Sequence, residues 1–255
     1  MKRAVGEALS IRDFHLVRVL RGSSTYVYRV QTGGETLYVR ILPEIGMSFG
    51  VEVHVHSLLR LRNLHVPEVI YFEPRHEALD MSLMVVKEIV GSSVRDCTLK
   101  NDYEAVLFEA GKQLALIHEV KVDGYGMIRR EWTEPGTELN GEKHSMHEYL
   151  FGHLDDNLSL LSEPIFTQQE TTQIANLIQS GSSLMLRHKP HLIHGDFDDT
   201  HIFQESKKYT GIIDFGELEG NSPFYDLGYY KLHEGQNGVF RGFRRLLEGY
   251  KKGAH

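Results

Sequence analysis

Two short acidic motifs carry the side chains best suited to chemistry in this sequence. His194-Gly195-Asp196 and Asp214-Phe215-Gly216 each follow an apolar run, and His201 lies between them. Phosphoryl transfer from a nucleotide needs one carboxylate that orients the attacking hydroxyl and further groups that hold metal ions on the phosphates. We therefore interpret Asp196 as the catalytic residue, and Asp214 and His201 as candidate metal ligands.

The two candidate metal ligands differ in chemical character. Mg²⁺ is a hard cation that favours carboxylate oxygens, which makes Asp214 the primary ligand, and Gly216 is expected to let the backbone turn closely beside it. The imidazole of His201 is a softer ligand, so it predicts a weaker second metal site or a greater tolerance of Mn²⁺. Packing beside the site is the alternative for His201, whereas His194 is expected to hold the loop rather than to act as a base.

Apolar β-forming pairs flank both motifs and predict the elements that position them. Leu192-Ile193, Ile202-Phe203 and Ile212-Ile213 are typical of short buried strands. Asp196 and Asp214 would then lie at the ends of such strands and point into one cleft.

The first ninety residues predict a β-rich unit. Runs rich in Val, Tyr, Leu and Ile indicate five strands, over 14–20, 25–31, 36–42, 68–72 and 83–87. Apolar residues near helical spacing predict one helix over 50–63, between the third and fourth strands. Gly91-Ser92-Ser93 then interrupts the pattern and is the best candidate for a hinge.

Helical patterns dominate the rest of the chain. They predict helices over 102–120, 147–161 and 168–187, and another from Tyr225 onward. A loop is expected where glycine and proline accumulate, at Gly124, Gly126, Pro135, Gly136 and Gly141.

The order and short spacing of the two acidic motifs resemble the catalytic core of the aminoglycoside phosphotransferase family, antibiotic kinases with a protein-kinase-like fold. The resemblance extends more weakly over nearly the whole chain. It implies an α+β, two-lobed fold: a small antiparallel-sheet, nucleotide-binding N-lobe over 1–90 and a mainly helical catalytic and substrate-binding C-lobe over 91–255. The commonest family pattern has Asn where this chain has His201, although aminoglycoside 2″-kinases and macrolide kinases also carry His there.

The resemblance also implies where phosphates bind. The segment between the first two strands lacks GxGxxG, but its N–H groups and the hydroxyls of Ser23 and Ser24 would contact phosphate oxygens. Arg40 takes the place of the phosphate-pairing lysine on the third strand. Glu52 is its expected partner, with Glu44 as the competitor.

Lys87 and Ile89 lie in a segment that resembles the hinge of such kinases, whose main chain contacts the nucleobase. Asp226 matches a family Asp that we interpret as a buttress of the catalytic loop or a helix N-cap. Carboxylates near Asp196 are the candidate acceptor contacts, namely Asp198, Asp199 and Glu217.

The functional prediction is transfer of the γ-phosphate of ATP or GTP, with Mg²⁺ or Mn²⁺, to a hydroxyl of a small cationic antibiotic, first of all an aminoglycoside, which would give resistance. One alternative keeps this chemistry and changes the acceptor to a macrolide, a hygromycin-like antibiotic, choline or a sugar. The other is a catalytically silent kinase fold that binds nucleotide. The identity of the acceptor rests on the resemblance alone.

Composition limits the class of protein. The chain has 255 residues, a net charge of −7 and one cysteine, Cys97. The acidic balance disfavours a nucleic-acid binder, and the lone cysteine excludes an intrachain disulfide and fits a reducing cytosol. Because we find neither an apolar run of membrane-spanning length nor a signal-peptide pattern, we expect a cytoplasmic protein without a membrane partner.

Overall fold

Five antiparallel strands form the sheet of the first part of the chain. The computed structural model describes residues 1–20, 22, 24–96, 103–131, 138–162, 165–236 and 242–254. The strands lie in the order β1-β2-β3-β5-β4 and every neighbouring pair is antiparallel. All five predicted strands are confirmed, with bounds shifted by a few residues: β1 His15–Val19, β2 Tyr26–Gln31, β3 Thr36–Leu42, β4 Val69–His76 and β5 Met81–Lys87.

Alternation along β3 decides which way Arg40 points. Val39 and Ile41 are buried on one face of the sheet, where they share a core with Val5 of helix α1, Lys2–Leu9. Successive side chains of a strand point to opposite faces, so Arg40 projects from the other face. Helix α1 itself was not predicted from the sequence.

Helix α2, Gly50–Leu61, confirms the helix predicted between the third and fourth strands. Val51, Val55 and Leu59 follow one another at a spacing of four residues and are buried in the core of the second part of the chain. Hydrophobic burial of this stripe fixes the helix against that core.

The segment that follows the five-stranded sheet forms a strand of its own and pairs with a later part of the chain. Strand β6, Ser92–Ser93, pairs with β10, Ile202–Glu205, which in turn pairs with β11, Lys208–Ile212. Gly91 has a φ of +103°, and the Gln204 carbonyl oxygen lies 2.0 Å from where a Cβ would be. The glycine that interrupts the sequence pattern is therefore needed because two backbones approach each other closely at Gly91.

A four-stranded sheet, in the order β8-β7-β12-β9, includes the strand that leads directly into the His194-Gly195-Asp196 motif, called the catalytic motif below for its predicted role. Its strands are β7 Tyr125–Ile128, β8 Gly141–Lys143, β9 His191–Ile193 and β12 Glu219–Asn221. The expectation of a loop is therefore wrong around Gly126 and Gly141, while Pro135 and Gly136 lie outside the described residues. Strands this short show too little alternation to be recognised in a sequence.

Six helices occupy the described residues of the second part: α3 Glu104–Ile117, α4 Met146–Phe151, α5 Leu154–Leu161, α6 Gln168–Met185, α7 Phe224–Gln236 and α8 Phe243–Gly253. The single helix predicted over 147–161 is divided into α4 and α5. Helices α3 and α8 pack closely, because Gly249 brings its backbone against the Phe108 carbonyl oxygen, 1.9 Å from where a Cβ would be. Across the described part of the chain, every helix is too short or too polar to span a bilayer.

Candidate active site

The catalytic motif begins where β9 ends, and it requires a glycine. Gly195 has a φ of +84°, a conformation that residues with a Cβ rarely adopt, and an added Cβ would lie 1.8 Å from the Glu217 carbonyl oxygen. The buried His194 donates from Nε2 to the Ile213 carbonyl oxygen at 2.9 Å, directly before the second acidic motif. The loop-holding role predicted for His194 is confirmed, because this bond joins the two motifs.

Asp226 supports the catalytic motif from helix α7. Its buried carboxylate accepts the N–H groups of His194 and Gly195 at 2.8 and 3.0 Å. Burial acts to raise the pKa of Asp226, but the hydrogen bond and charge of His118, whose Nε2 lies 3.0 Å away, outweigh it and lower the pKa. The buttress interpretation is confirmed, and the N-cap alternative is wrong because Asp226 lies inside α7.

The second acidic motif turns at Asp214 rather than at Gly216. Asp214 has a φ of +66°, whereas Gly216 has no positive φ. The motif lies beside Arg40, whose Nη2 is 3.3 Å from Asp214 Oδ1. Desolvation acts to raise the pKa of Asp214, but it is outweighed, above all by the positive charge of Arg40, so the pKa is lowered and the carboxylate is ionised.

Arg40 connects the sheet, helix α2 and the second acidic motif. Its Nη1 donates to the buried Glu52 carboxylate, which confirms the predicted ion pair. The competing candidate, Glu44, lies 4.0 Å from Arg130 instead. One nitrogen of the guanidinium fork thus contacts α2 while the other faces the cleft.

The donor atoms of His201 and Asp214 suit a cation that also binds phosphate. His201 Nδ1 donates to the Asp196 carbonyl oxygen at 2.7 Å, which leaves Nε2 as the acceptor nitrogen, 3.8 Å from Asp214 Oδ2. Among the described residues, no group of three or more His, Cys, Asp or Glu side chains forms a metal cluster. Two protein ligands nevertheless fit Mg²⁺, because this ion keeps several waters and binds substrate phosphates.

Two of the three candidate acceptor contacts already have partners within the chain. Arg95 donates to Asp199 at 2.6 Å and to Asp198 at 3.4 Å, and the Thr200 N–H also donates to Asp198. Contacts of Asp198 and Asp199 with an acceptor remain a prediction, now with a competing internal cation. No local pattern pointed to Arg95, which lies more than a hundred residues earlier in the chain.

Glu217 is the exposed carboxylate beside both motifs. Desolvation raises its pKa, Arg130 partly offsets this, and the like charges of Asp196 and Asp214 raise it further. A carboxylate repelled by its neighbours in this way favours a cation that approaches it from solvent. Glu217 therefore remains a candidate for contact with an acceptor.

The other four residues predicted to contact the nucleobase or the phosphates lie in different surroundings. Ser23 lies outside the described residues, and Ser24 is exposed next to β2. Lys87 is held by Glu68, since its Nζ lies 3.1 Å from the carboxylate and its N–H donates to the Glu68 carbonyl oxygen. The Ile89 side chain packs over Gly211, so the predicted contact with the nucleobase concerns the main chain of Ile89.

Tyr229 is a site residue that sequence reasoning missed. Its hydroxyl donates to Asp196 Oδ1 at 2.6 Å. The only signal was its position three residues after Asp226, which places both on one face of a helix.

Comparison with known proteins identifies the fold and the family. The chain resembles crystal structures of a thermostable mutant of aminoglycoside phosphotransferase APH(4)-Ia, with a TM-score of 0.70 and 14% identity for the apo form, over 99% of this chain and 81% of that one. The ternary complex of another such mutant with ADP and hygromycin B gives 0.66 and 14%, over 90% and 75%. The gentamicin complex of APH(2″)-IIa gives 0.65 and 15%, over 98% and 80%.

These similarities confirm the predicted α+β, protein-kinase-like fold, with its antiparallel sheet first and its helical part second. A search of curated proteins finds no match. The profile of the phosphotransferase enzyme family, APH, matches residues 15–254. The resemblance noted in the sequence is thereby confirmed: this chain is an enzyme that belongs to the phosphotransferase enzyme family.

Proposed function

We propose that this enzyme transfers the γ-phosphate of ATP or GTP to a hydroxyl group of a small cationic antibiotic, with aminoglycosides as the first candidates. The observation that carries the proposal is the convergence of Asp196 and Asp214 on His201. Their nearest carboxylate oxygens lie 3.9 and 3.8 Å from its two ring nitrogens. A base for the acceptor and a carboxylate for the metal would thus share one cleft.

Each residue of the site has a separate role in the proposed reaction. Asp196 would orient the acceptor hydroxyl and take its proton as the new O–P bond forms and the bond from Pγ to the bridging oxygen of the nucleotide breaks. Asp214 and His201 would hold Mg²⁺ or Mn²⁺, which supplies charge neutralisation on the phosphates. Arg40, held by Glu52, would clamp phosphate oxygens with its second nitrogen.

The remaining nucleotide contacts would come from the loop before β2 and from the segment at the end of β5. The hydroxyls of Ser23 and Ser24 would bind phosphate oxygens. For Lys87 the proposal is limited to its main-chain carbonyl oxygen, since its side chain and its N–H are both paired with Glu68. The main chain of Ile89 would complete the contact with the nucleobase.

Charge supports a cationic acceptor. Glu217 lies beside Asp196 and Asp214 at the open side of the cleft, and the chain carries a net charge of −7. The similar structures include complexes with gentamicin and with hygromycin B, which supports an aminoglycoside or a hygromycin-like acceptor. Antibiotic resistance of the host and action in the cytoplasm, where ATP is available, belong to the same proposal.

An acceptor panel tests the proposal. Purified enzyme with MgATP or MgGTP is assayed for nucleotide consumption with aminoglycosides, hygromycin B, a macrolide, choline and sugars. We expect consumption with at least one cationic antibiotic and a phosphorylated product of the corresponding mass. Turnover of choline or a sugar alone would replace the antibiotic with a metabolite. Nucleotide binding without turnover of any acceptor would support the silent alternative.

A further inference from the structure

Three polar side chains of helix α7 face the catalytic loop, residues 194–198, which follows β9. Asp226, Tyr229 and His233 are spaced by three and four residues, which places them on one face of the helix. In chain order they approach successive loop positions. Asp226 accepts the N–H groups at the start of the loop, Tyr229 donates to Asp196, and His233 Nδ1 lies 3.9 Å from Asp198 Oδ2.

The phenol of Tyr229 is held firmly as a hydrogen-bond donor. Its ring stacks on His233, with centroids 4.3 Å apart and planes 21° apart, and lies parallel to Tyr225 at 6.4 Å. Burial, the hydrogen bond to Asp196 and the charge of that residue all raise the pKa of Tyr229, so the hydroxyl keeps its proton. The separation of 2.6 Å is that of a charge-assisted O–H···O⁻ bond.

The hydrogen bond from Tyr229 determines which carboxylate oxygen of Asp196 can contact an acceptor hydroxyl. With Oδ1 taken by Tyr229, the oxygen that faces the cleft is Oδ2, on the side of His201. We propose that Tyr229 is a positioning residue: it fixes the rotation of the Asp196 carboxylate and directs the acceptor hydroxyl to Oδ2. The inference rests on the proposed function, in which Asp196 orients that hydroxyl.

A matched pair of tyrosine variants tests the inference. Tyr229→Phe keeps the stacked ring and removes only the donor, while Tyr225→Phe removes a hydroxyl from the same stack without touching Asp196. With MgATP and gentamicin or hygromycin B, we expect kcat to fall about tenfold to a hundredfold in Tyr229→Phe. The KM for ATP and the thermal midpoint should stay at wild-type values, and Tyr225→Phe should resemble wild type throughout.

Two results would overturn the positioning role. One is a wild-type kcat in Tyr229→Phe, and the other is an equal loss in Tyr225→Phe, which would assign the effect to the ring stack. Asp196→Asn separates this inference from the proposed function. If Asp196→Asn is inactive while Tyr229→Phe is unaffected, only the positioning role fails. If Asp196→Asn turns over normally, or wild type transfers no phosphate, the proposed function fails and this inference with it.

Discussion

Asp214 holds a left-handed backbone conformation, with a φ of +66°, that a residue with a side chain adopts at a cost of about 1–3 kcal/mol. The surrounding contacts maintain it. Ile213 donates its N–H to the His201 carbonyl oxygen at 3.0 Å, and Arg40 lies against the carboxylate. The conformation aims the carboxylate at both Arg40 and His201, which is the arrangement that metal and phosphate binding would need.

His201 is the residue at which metal preference should change. In His201→Asn an amide oxygen replaces the imidazole nitrogen, and oxygen is the harder ligand. We expect phosphate transfer to be retained and the ratio of activity with Mg²⁺ to activity with Mn²⁺ to rise. The measurement is a metal titration of initial rates for both proteins. An identical metal profile would return His201 to a packing role.

Gly195 is the position where the smallest change should be most damaging. In Gly195→Ala the new Cβ would meet the Glu217 carbonyl oxygen, and the φ of +84° would be strained. We expect loss of activity and a fall of at least about 2 kcal/mol in the free energy of unfolding, measured by urea titration. The control is Gly181→Ala in helix α6, where the added Cβ meets nothing within 4 Å. It should raise stability by up to about 1 kcal/mol, and an equally stable Gly195→Ala would contradict this account.

At the scale of elements, three rings join helix α2 to the catalytic motifs. The Phe215 ring lies edge-on to His56 of α2 at 5.0 Å and tilted against His194 at 4.9 Å. His56 Nδ1 donates to the Pro67 carbonyl oxygen at 2.8 Å. Burial lowers the pKa of His56 to about 4, so the ring is neutral at pH 7.

This buried histidine makes stability depend on pH. Between pH 6.5 and about 4 the unfolded chain binds a proton at His56 that the folded protein does not, so stability falls as the pH falls through this window. From pH 7 to pH 5 the loss should be about 2 kcal/mol. His56→Leu should remove that part of the pH dependence in urea unfolding, whereas the exposed His15→Gln should keep it. Equal slopes for wild type and His56→Leu would show that His56 charges freely in the folded protein.

Elements with a long, regular pattern were predictable, and short or bent ones were not. The five strands of the first sheet and helix α2 follow from alternation and helical spacing. Strand β7 did not, because Gly124 and Gly126 adopt a positive φ next to or within it, and glycine usually signals a loop. Strand β8 did not, because it is only three residues long and begins with a glycine. The break between α4 and α5 falls at Gly152 and His153, within a pattern that reads as one helix.

The same distinction applies to the site. The two acidic motifs and the pair of Arg40 with Glu52 could be predicted because each is carried by local sequence and by its place in the order of elements. Contacts made by Arg95, His118 and Tyr229 could not, because they join residues 33 to 108 positions apart and depend on how helices pack. Roles in catalysis and binding remain predictions for all of them.

At the scale of the whole molecule, the cleft lies where the five-stranded sheet, helix α2 and the four-stranded sheet that contains β9 meet. Helix α2 buries Val51 and Val55 in the core of the second part while Glu52 holds Arg40 of the first. The ion pair thus ties strand β3 of the first part to helix α2, whose apolar stripe is buried in the core of the second part. The division into lobes at residues 90 and 91 remains a prediction within this arrangement.

The most direct test of the whole account is a comparison of phosphate transfer with nucleotide binding in Asp196→Asn. The expected result is a loss of transfer of about a thousandfold or more, with the Kd for MgATP within about threefold of wild type, because the variant lacks the base and keeps Arg40 and Asp214. Asp123→Asn, at an exposed position, serves as the matched control and should transfer phosphate normally. Transfer by Asp196→Asn at the wild-type rate would contradict the account.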